Sequence, residues 1–194
     1  MKFQETSLPG VWLIDLNRLK DERGFFARSF CRSEFELHGL SPDVVQCNIS
    51  FNQMKGTLRG MHYQTPPCAE VKLVRGSIYD VVVDLRLNSK TFLQWLGFSL
   101  DAESRTALYV PKYFAHGFLT LEDQTEVFYQ MSEFYSPQHA AGFRWDGAAV
   151  GIRWPAQVKV ISPKDAAYPD LDAAMFYRPR MLQPDASEVR GYSL

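Results

Sequence analysis

Residues 45–52 read VQCNISFN and alternate apolar and polar side chains over their whole length. A period of two residues is typical of a β-strand with two chemically different faces. The polar face carries Gln46, Asn48, Ser50 and Asn52. An inward polar row would have to line a ligand cavity, because amides buried in a dry core without partners cost about 1–3 kcal/mol each. The alternative is a polar row that faces solvent, and alternation alone leaves both readings open.

The rest of the chain repeats short alternating runs separated by turn residues, which indicates an all-β protein. Residues 78–86, IYDVVVDLR, place an apolar face opposite a face that contains Asp80 and Asp84. Further strands are predicted at residues 11–16, 93–100, 106–110, 114–121, 125–132 and 158–162. Because many short strands need closure or a double layer to protect their edges, we predict a jelly roll or a related barrel.

Two short helices are predicted beside the strands. Residues 33–38 begin with Ser33 and Glu36 at the spacing of a capping box, and Gly39 provides a stop. In SPKD, residues 162–165, a serine precedes a proline at the first helical position, which predicts a second helix start.

Length and composition describe an ordinary globular domain. The 194 residues are enough for one domain with a sizeable core. The net charge of −1 argues against a general nucleic-acid binder, and no apolar run approaches the ~20 residues that span a bilayer. Residues 1–10 lack the apolar segment of a signal peptide, and the three cysteines are few and odd in number. We therefore expect a cytoplasmic protein with reduced thiols and no membrane partner.

Two of the four histidines, His62 and His116, lie in apolar stretches that contain glycine. A titratable ring is costly to bury there unless it is paired, so both are candidates for a functional role. A metal site needs two or three histidines plus a carboxylate at close spacing. The chain has no His-x-His pair, although His62 and His116 could meet Glu70 across a barrel. We expect no bound metal, and a metal-dependent β-barrel protein stays an alternative.

Four other residues have chemistry that a cavity could use. Without a glycine-rich phosphate loop, a phosphate must be held by side chains, and Arg23 and Arg59 are candidates. Ordinary arginines at strand edges are the alternative. Lys72 has apolar neighbours and either places a positive charge in a cavity or extends its ammonium to solvent. Tyr129 is either an acid or a core ring with a hydrogen-bonded hydroxyl.

Six motifs occur in order along the chain: DERGFF (residues 21–26), QCN (46–48), LRGMHYQ (58–64), YDVVVDLR (79–86), FAHGF (114–118) and SPKD (162–165). Together they resemble the dTDP-4-dehydrorhamnose 3,5-epimerase family, cupin-like enzymes of deoxysugar-nucleotide synthesis. The resemblance covers about residues 1–177 and leaves residues 178–194 as a polar C-terminal tail. It implies a cupin-type double-stranded β-helix, a homodimer, and an isomerase that needs no metal or cofactor.

The resemblance also implies a substrate and the roles of site residues. The substrate is a nucleotide-linked 4-keto-6-deoxyhexose, whose C3 and C5 protons are acidified by the C4 ketone. The family reaction converts dTDP-4-dehydro-6-deoxyglucose to dTDP-4-dehydrorhamnose. His62 is then the base, Asp165 the carboxylate that orients it, and Tyr129 the acid on the opposite face. Lys72 is implied to face the C4 enolate. Substrate-binding roles fall on Arg23, Gln46, Asn48, Arg59, His116, Tyr135 and Lys164.

Three departures from the family pattern bear on these expectations. Arg28 stands where the family usually has a glutamate, and Cys47 replaces an acidic residue. Both positions belong to the nucleotide end, so a base other than thymine stays open. The stretch from Lys72 to Gly76 is about three residues shorter than in the family. An odd-numbered deletion in a strand reverses the facing of the residues beyond it unless a bulge absorbs the change.

Two other functions are compatible with the same residues. One is an epimerase that acts at only C3 or only C5, or on another nucleotide sugar such as a CDP-linked one. The other is a non-catalytic module that binds a sugar nucleotide, although binding alone needs neither an acid nor a base.

Overall fold

The computed structural model describes residues 1–174, which form fourteen strands and two short helices. The strands are β1 (Lys2–Glu5), β2 (Trp12–Asp15), β3 (Leu19–Asp21), β4 (Gly24–Phe26), β5 (Gln46–Asn52), β6 (Thr57–Gln64), β7 (Glu70–Arg75), β8 (Ser77–Asp84), β9 (Trp95–Asp101), β10 (Thr106–Val110), β11 (Phe114–Thr120), β12 (Thr125–Met131), β13 (Ala140–Gly142) and β14 (Val160–Ile161). The helices are α1 (Arg32–Leu37) and α2 (Pro163–Ala166). The predicted tail at residues 178–194 lies outside the described residues.

The strands form two sheets and one separate hairpin. The first sheet has the order β1-β2-β10-β7-β12-β5, and the second has the order β13-β6-β11-β8-β9 with β14 beside β6. Every described pair is antiparallel except β14 with β6. Strands β3 and β4 form the hairpin. This architecture confirms the predicted all-β jelly roll.

An apolar core fills most of the space between the sheets. It combines Val74, Leu108 and Val127 of the first sheet with Ile78, Val82 and Phe118 of the second. The outer faces are covered differently. The chain from Phe143 to Leu171 packs against Val81 and Val83 on the second sheet. On the first sheet, Phe35 of α1 is fully buried against Val71 and Tyr109.

The polar row of the opening motif faces the interior of the protein. Asn48 and Ser50 of β5 line the cavity described below, and Cys47 and Phe51 are exposed on the outer side, while Ile49 is exposed and also borders the cavity. The cavity interpretation is therefore confirmed, and solvent meets the apolar row instead. This leaves an apolar stripe uncovered along an edge strand, since among residues 1–174 β5 pairs only with β12.

The short stretch after Lys72 does not reverse the facing of the next strand. Lys72 and Val74 of β7 point inward, and so do Ile78 and Asp80 of β8. Gly76 forms the corner between the two sheets with a φ of +87°. A Cβ there would lie 2.6 Å from Thr125 Oγ1, so both the backbone conformation and the lack of space require glycine.

The sequence interpretation was wrong in one local detail. The capping box of the first helix does not form, because the N-cap residue is Cys31 and no side chain caps the helix. Glu34 in the first turn instead binds the N-terminal ammonium of Met1 and the guanidinium of Arg28. The second helix agrees with its prediction, since Ser162 Oγ accepts a hydrogen bond from Asp165 N.

Candidate active site

A cavity of about 260 Å³ lies between the two sheets beside the apolar core. The first sheet supplies Asn48, Ser50, Glu70, Tyr129 and Met131, and the second supplies His62, Gln64, Phe114 and His116. Lys164 of α2 and the loop residues Tyr135 and Tyr168 complete the polar part of the wall. Both sheets therefore present titratable groups to one enclosed volume.

His62 and Asp165 form a hydrogen-bonded pair at the cavity wall. His62 Nε2 is 2.8 Å from Asp165 Oδ1. His62 is partly exposed, with 38% of its side chain accessible, while Asp165 lies behind it with 7% accessible. An ionised carboxylate can only accept, so Nε2 carries the proton and Nδ1 keeps its lone pair. This arrangement prepares a neutral imidazole to take up a proton at Nδ1.

Local backbone features hold Asp165 in place. The residue lies in the first turn of α2, where Ser162 caps the helix. Asp165 Oδ2 also accepts a hydrogen bond from Gly60 N at 3.3 Å. Gly60 has a φ of +147°, and a Cβ on it would lie 2.6 Å from Gly117 Cα. Only glycine allows β6 and β11 to approach so closely, and this approach sets the position of His62 two residues later.

Asp165 is held in its ionised form. Burial alone would raise its pKa, but the hydrogen bond from His62 and the positive charge of a protonated His62 outweigh burial. The hydrogen bonds from Gly60 and Ser162 act in the same direction. The pKa of the carboxyl therefore lies below its ordinary value of 3.8.

Tyr129 faces the same cavity from the first sheet. Its hydroxyl lies 3.2 Å from Ser50 Oγ, on the neighbouring strand β5. Burial is the main cause that raises the pKa of Tyr129, and the negative charges of Glu70 and Asp80 add to it. The Ser50 hydrogen bond and Arg59 oppose this shift without cancelling it. Tyr129 is therefore a protonated phenol at neutral pH and can act as a proton donor.

Lys72 lies behind the cavity wall and contacts His116. Its side chain is 0% exposed, and the ammonium donates to both carboxylate oxygens of Asp80 at 3.0 and 2.8 Å. The third contact is His116 Nδ1 at 2.8 Å. Because an ammonium only donates, Nδ1 of His116 accepts and the imidazole proton lies at Nε2. All three donors of Lys72 are thus engaged inside the protein, and His116 lies between Lys72 and the cavity.

A second carboxylate faces His116 from the other side. Glu70 Oε2 is 3.2 Å from His116 Nε2 and has no partner with good hydrogen-bond geometry. Burial alone would raise the pKa of Glu70, but its electrostatic and hydrogen-bond interactions with His116 and the charge of Lys72 lower it to about 2. The part of the cavity near His116 therefore combines one ammonium, two carboxylates and one imidazole.

The predicted substrate-binding residues divide into three groups. Asn48, His116, Tyr135 and Lys164 line the cavity. Gln46 lies at its edge, where its amide donates to Asn48 Oδ1 and accepts from Tyr135 N. Arg59 is exposed beside the cavity and donates to Asn52 Oδ1 at 2.7 Å. Arg23 is the exception, because it lies on the β3–β4 hairpin outside the cavity.

This set of groups fits proton transfer at a carbon atom. A base on one sheet and a phenol on the other can reach opposite faces of a ring held between them. His116, backed by Lys72, can stabilise negative charge on an oxygen. The family model for dTDP-4-dehydrorhamnose 3,5-epimerase matches residues 5–173, which include all of these groups.

The chain belongs to the dTDP-4-dehydrorhamnose 3,5-epimerase family.

Named relatives of this family are similar in sequence and in structure. The dTDP-4-dehydrorhamnose 3,5-epimerase of Salmonella typhimurium is 42% identical over 176 residues, which are 88% of this chain and 96% of that one. The crystal structure of the Bacillus anthracis enzyme of that name, with TDP and pyrophosphate bound, has a TM-score of 0.84 and 40% identity. That match covers 88% of this chain and 99% of the other.

A third relative is described with a sugar nucleotide. The dTDP-6-deoxy-D-glucose-3,5-epimerase of Legionella pneumophila, in complex with dTDP-4-keto-L-rhamnose, has a TM-score of 0.83 and 35% identity. The match covers 90% of this chain and 96% of that structure. In fold and in most of its length, the chain is therefore a regular member of this epimerase family.

The two substitutions that depart from the family pattern lie away from the cavity of this epimerase family member. Cys47 points to the outer side of β5 and is exposed. Arg28 is bound to Glu34 near α1 at 2.7 Å. Neither residue lines the cavity of the same chain. Within one chain, these two positions therefore give no reason to expect a nucleotide base other than thymine.

Within residues 1–174, no three His, Cys, Asp and Glu side chains are grouped as metal ligands. The histidine nitrogens considered for a metal have other contacts. His62 Nε2 is bound to Asp165, and His116 Nδ1 lies against the ammonium of Lys72. In the same part of the chain, no helix is long and apolar enough to cross a membrane.

Four residues in or behind the cavity wall were not identified as candidate site residues from the sequence. Ser50 and Asp80 are predicted only as members of polar strand faces, and Glu70 only as a possible metal ligand. The inward period of residues 78–86 could have identified Asp80, because it lies on the same face as the core residue Val82. Tyr168 had no local signal, since it follows α2 in an irregular segment.

Proposed function

We propose that the protein is an isomerase that converts dTDP-4-dehydro-6-deoxyglucose to dTDP-4-dehydrorhamnose by inverting C3 and C5. The observation that carries the proposal is the placement of the His62–Asp165 pair and Tyr129 on opposite sheets around one cavity. A sugar ring between them has a base on one face and an acid on the other. Binding alone would need neither group.

The reaction begins with removal of a proton next to the ketone. Nδ1 of neutral His62 takes the proton from C3 or C5, and the C–H electron pair moves into the enolate. Asp165 stabilises the imidazolium and keeps the ring in one tautomer. Because general acid–base groups contribute about 10²–10⁴-fold each, loss of the base is expected to be severe.

The negative charge of the enolate develops on the C4 oxygen. His116 has its Nε2 proton at the cavity wall, and the ammonium of Lys72 lies directly behind its Nδ1. Lys72 therefore acts on the enolate through His116 rather than by direct contact. One preorganised donor of this kind contributes about 10²–10³-fold.

Inversion requires that the carbon regains a proton from the other face. The phenol of Tyr129 donates its proton to the enolate carbon, and the electron pair returns to restore the ketone. The resulting phenolate recovers a proton, and the imidazolium of His62 releases one, so the enzyme ends as it began. Since the ketone is present from the start, the reaction needs no redox cofactor, and we propose that it needs no metal.

The nucleotide end of the substrate is assigned to the polar rim of the cavity. Arg59 and Lys164 supply positive charge for the diphosphate, and the ring of Tyr135 is available to stack on the base. Gln46 and Asn48 are hydrogen-bonded to each other at this rim. A cytoplasmic location belongs to the same proposal and is supported by three free cysteines.

Asp165→Asn tests the first step of the mechanism. We expect kcat to fall by about 10²-fold, because an amide neither stabilises an imidazolium nor fixes the tautomer of His62. Since the pKa of Asp165 is lowered from 3.8, its ionised form also stabilises the fold at neutral pH. That stability is lost as the pH falls through the folded-state pKa.

The pH dependence of this stabilisation is tested by measuring the thermal midpoints of wild type and Asp165→Asn over a series of pH values. The advantage of wild type should be constant around neutral pH and shrink below pH 3.8. An advantage of wild type that persists undiminished well below pH 3.8, or a variant with wild-type kcat, would contradict the role given to Asp165.

We propose further that the protein is a homodimer. The strand predicted at residues 11–16 offers no edge to a partner, because β2 pairs with β1 on one side and with β10 on the other. Other surfaces support association instead. Phe26 on the hairpin is 73% exposed and Ile49 on β5 is 67% exposed, with further exposed apolar residues Leu19, Phe25 and Phe51 nearby in sequence. Exposed apolar groups of this size mark interaction surfaces.

A dimer that forms through the β3–β4 hairpin would also place Arg23 at the substrate site. It lies at the tip of the hairpin with 85% of its side chain exposed, and Asp21 is its only ion-pair partner in the described part of the chain. A hairpin that packs on β5 of a partner subunit brings its guanidinium to the rim of that subunit's cavity. Arg23 would then bind the diphosphate across the interface.

Phe26→Asp tests the dimer by sedimentation velocity. We expect the wild type to sediment as a dimer and the variant to shift toward the monomer, because a charge replaces an apolar contact. Leu37→Asp is the matched control, since Leu37 is 82% exposed on α1 outside this surface. A wild-type protein that is monomeric at every concentration would refute the homodimer.

Proton NMR of the purified protein with dTDP-4-dehydro-6-deoxyglucose tests the function. The signals of the substrate should be replaced by those of the C3- and C5-inverted sugar. The CDP- and UDP-linked sugars, run in parallel, test the nucleotide, and faster conversion of either would point to the rival substrate.

A further inference from the structure

Tyr168 lies in the cavity wall beside the base, and the reaction described above does not use it. It follows Asp165 by one helical turn, and its backbone N–H lies 3.4 Å from Asp165 O. The segment that positions the carboxylate therefore also positions this ring. The next residue, Pro169, limits the backbone freedom of that position.

The ring of Tyr168 contacts both His62 and the strand paired with it. The two ring centroids are 6.1 Å apart with an interplanar angle of 68°, which is an edge-to-face contact. On its other side the ring lies so close to Gly142 that a Cβ there would be 2.5 Å from Tyr168 Cε2. Gly142 is the register partner of His62 between β13 and β6. The imidazole is thus held by a carboxylate at one nitrogen and by an aromatic ring against its side.

The hydroxyl of Tyr168 contributes nothing visible to this arrangement. It is a buried oxygen without a hydrogen-bond partner among the described residues. A buried polar group without a partner destabilises a protein, so the hydroxyl is not what the position needs. The aromatic ring is the part of the side chain with defined contacts.

We propose that Tyr168 is a positioning residue that fixes the orientation of the His62 imidazole, and that its ring performs this role. The proposal rests on the proposed function, since it concerns the orientation of the base. Without the ring, the imidazole can rotate away from Asp165 and populate the other tautomer. A misplaced catalytic group of this kind can cost up to about 10²-fold in rate.

Three variants separate the ring from the hydroxyl and from general packing. Tyr168→Leu removes the ring, and we expect kcat to fall by about tenfold with little change in KM. Tyr168→Phe keeps the ring and is expected to rescue kcat to about half of the wild-type value or more. Tyr79→Leu is the matched control, because Tyr79 is a half-buried tyrosine that packs on Trp154 away from the cavity.

A readout without substrate tests the position of the imidazole directly. Nitrogen-15 NMR of labelled histidine should give a single His62 tautomer with the proton on Nε2 in the wild type and in Tyr168→Phe. Tyr168→Leu should show a second, exchanging tautomer. This measurement also stands if the protein has no epimerase activity, so failure of the proposed function and failure of this inference are distinguishable.

A double variant provides a further check. If the ring and the carboxylate orient the same imidazole, Tyr168→Leu and Asp165→Asn together should cost less than the product of their separate losses. Losses that multiply, an unchanged tautomer in Tyr168→Leu, or a kcat equal to wild type in that variant would each overturn the proposal.

Discussion

His62→Asn is expected to lose both proton exchange and epimerisation, with a fall in kcat of about 10⁴-fold. Asparagine has a similar polar volume but no lone-pair nitrogen that can take up a proton at neutral pH. Gly60 N still donates to Asp165 in this variant and the asparagine amide is a further donor, so we expect the carboxylate to keep its place and the loss to reflect the missing base. Single-turnover experiments with the 4-keto sugar nucleotide measure this loss directly, because they separate chemistry from product release.

Binding provides the control for this variant. Retained affinity for dTDP, measured by calorimetry, would show that the nucleotide end is intact while the chemistry is gone. A His62→Asn protein that still exchanges a substrate proton at more than about a tenth of the wild-type rate would assign the base to another group.

Tyr129→Phe is expected to keep deuterium exchange but to lose inversion by about 10²-fold or more. The base on the second sheet is untouched, so it can still remove a proton and return a deuteron to the same face. The other face lacks its donor, because the phenylalanine ring has no hydroxyl. Proton NMR in D₂O separates the two outcomes, since exchange removes a signal and inversion changes the coupling pattern of the ring.

Tyr135→Phe is the matched variant for this prediction. Tyr135 lines the same cavity and is half exposed, and its phenylalanine variant keeps the ring that would stack on the base. If Tyr135→Phe loses inversion while Tyr129→Phe inverts at the wild-type rate, Tyr135 is the acid. Tyr129 would then be a core ring with its hydroxyl bonded to Ser50.

Local patterns identified much of the fold and part of the site. Strict alternation in residues 45–52 predicted a strand, and the cost of burying amides left either a cavity or solvent on its polar side. Serine before proline predicted the start of α2, and this helix places Asp165 under His62. These predictions hold because a period or a cap depends on residues only a few positions apart.

Contacts across the two sheets could not be predicted in the same way. The sequence shows that Lys72 has apolar neighbours. Its ammonium donates to Asp80 and His116 because the turn at Gly76 brings β7 and β8 together, and the sequence does not show this contact. Arg23 has an informative motif, yet the hairpin that carries it projects away from the cavity of its own chain. The ring of Tyr168 meets His62 across more than a hundred residues of sequence. Such pairings depend on register and topology rather than on local composition.

Proton NMR in D₂O, with the wild-type protein and dTDP-4-dehydro-6-deoxyglucose in a buffer that contains a chelator, tests the central claim most directly. We expect deuterium to enter at both C3 and C5 and both carbons to change configuration. Labelling and inversion at one carbon only would contradict the double epimerisation and identify a single-site enzyme. No labelling at any carbon, with the substrate bound, would contradict the assignment of His62, Tyr129 and Asp165 as a catalytic set.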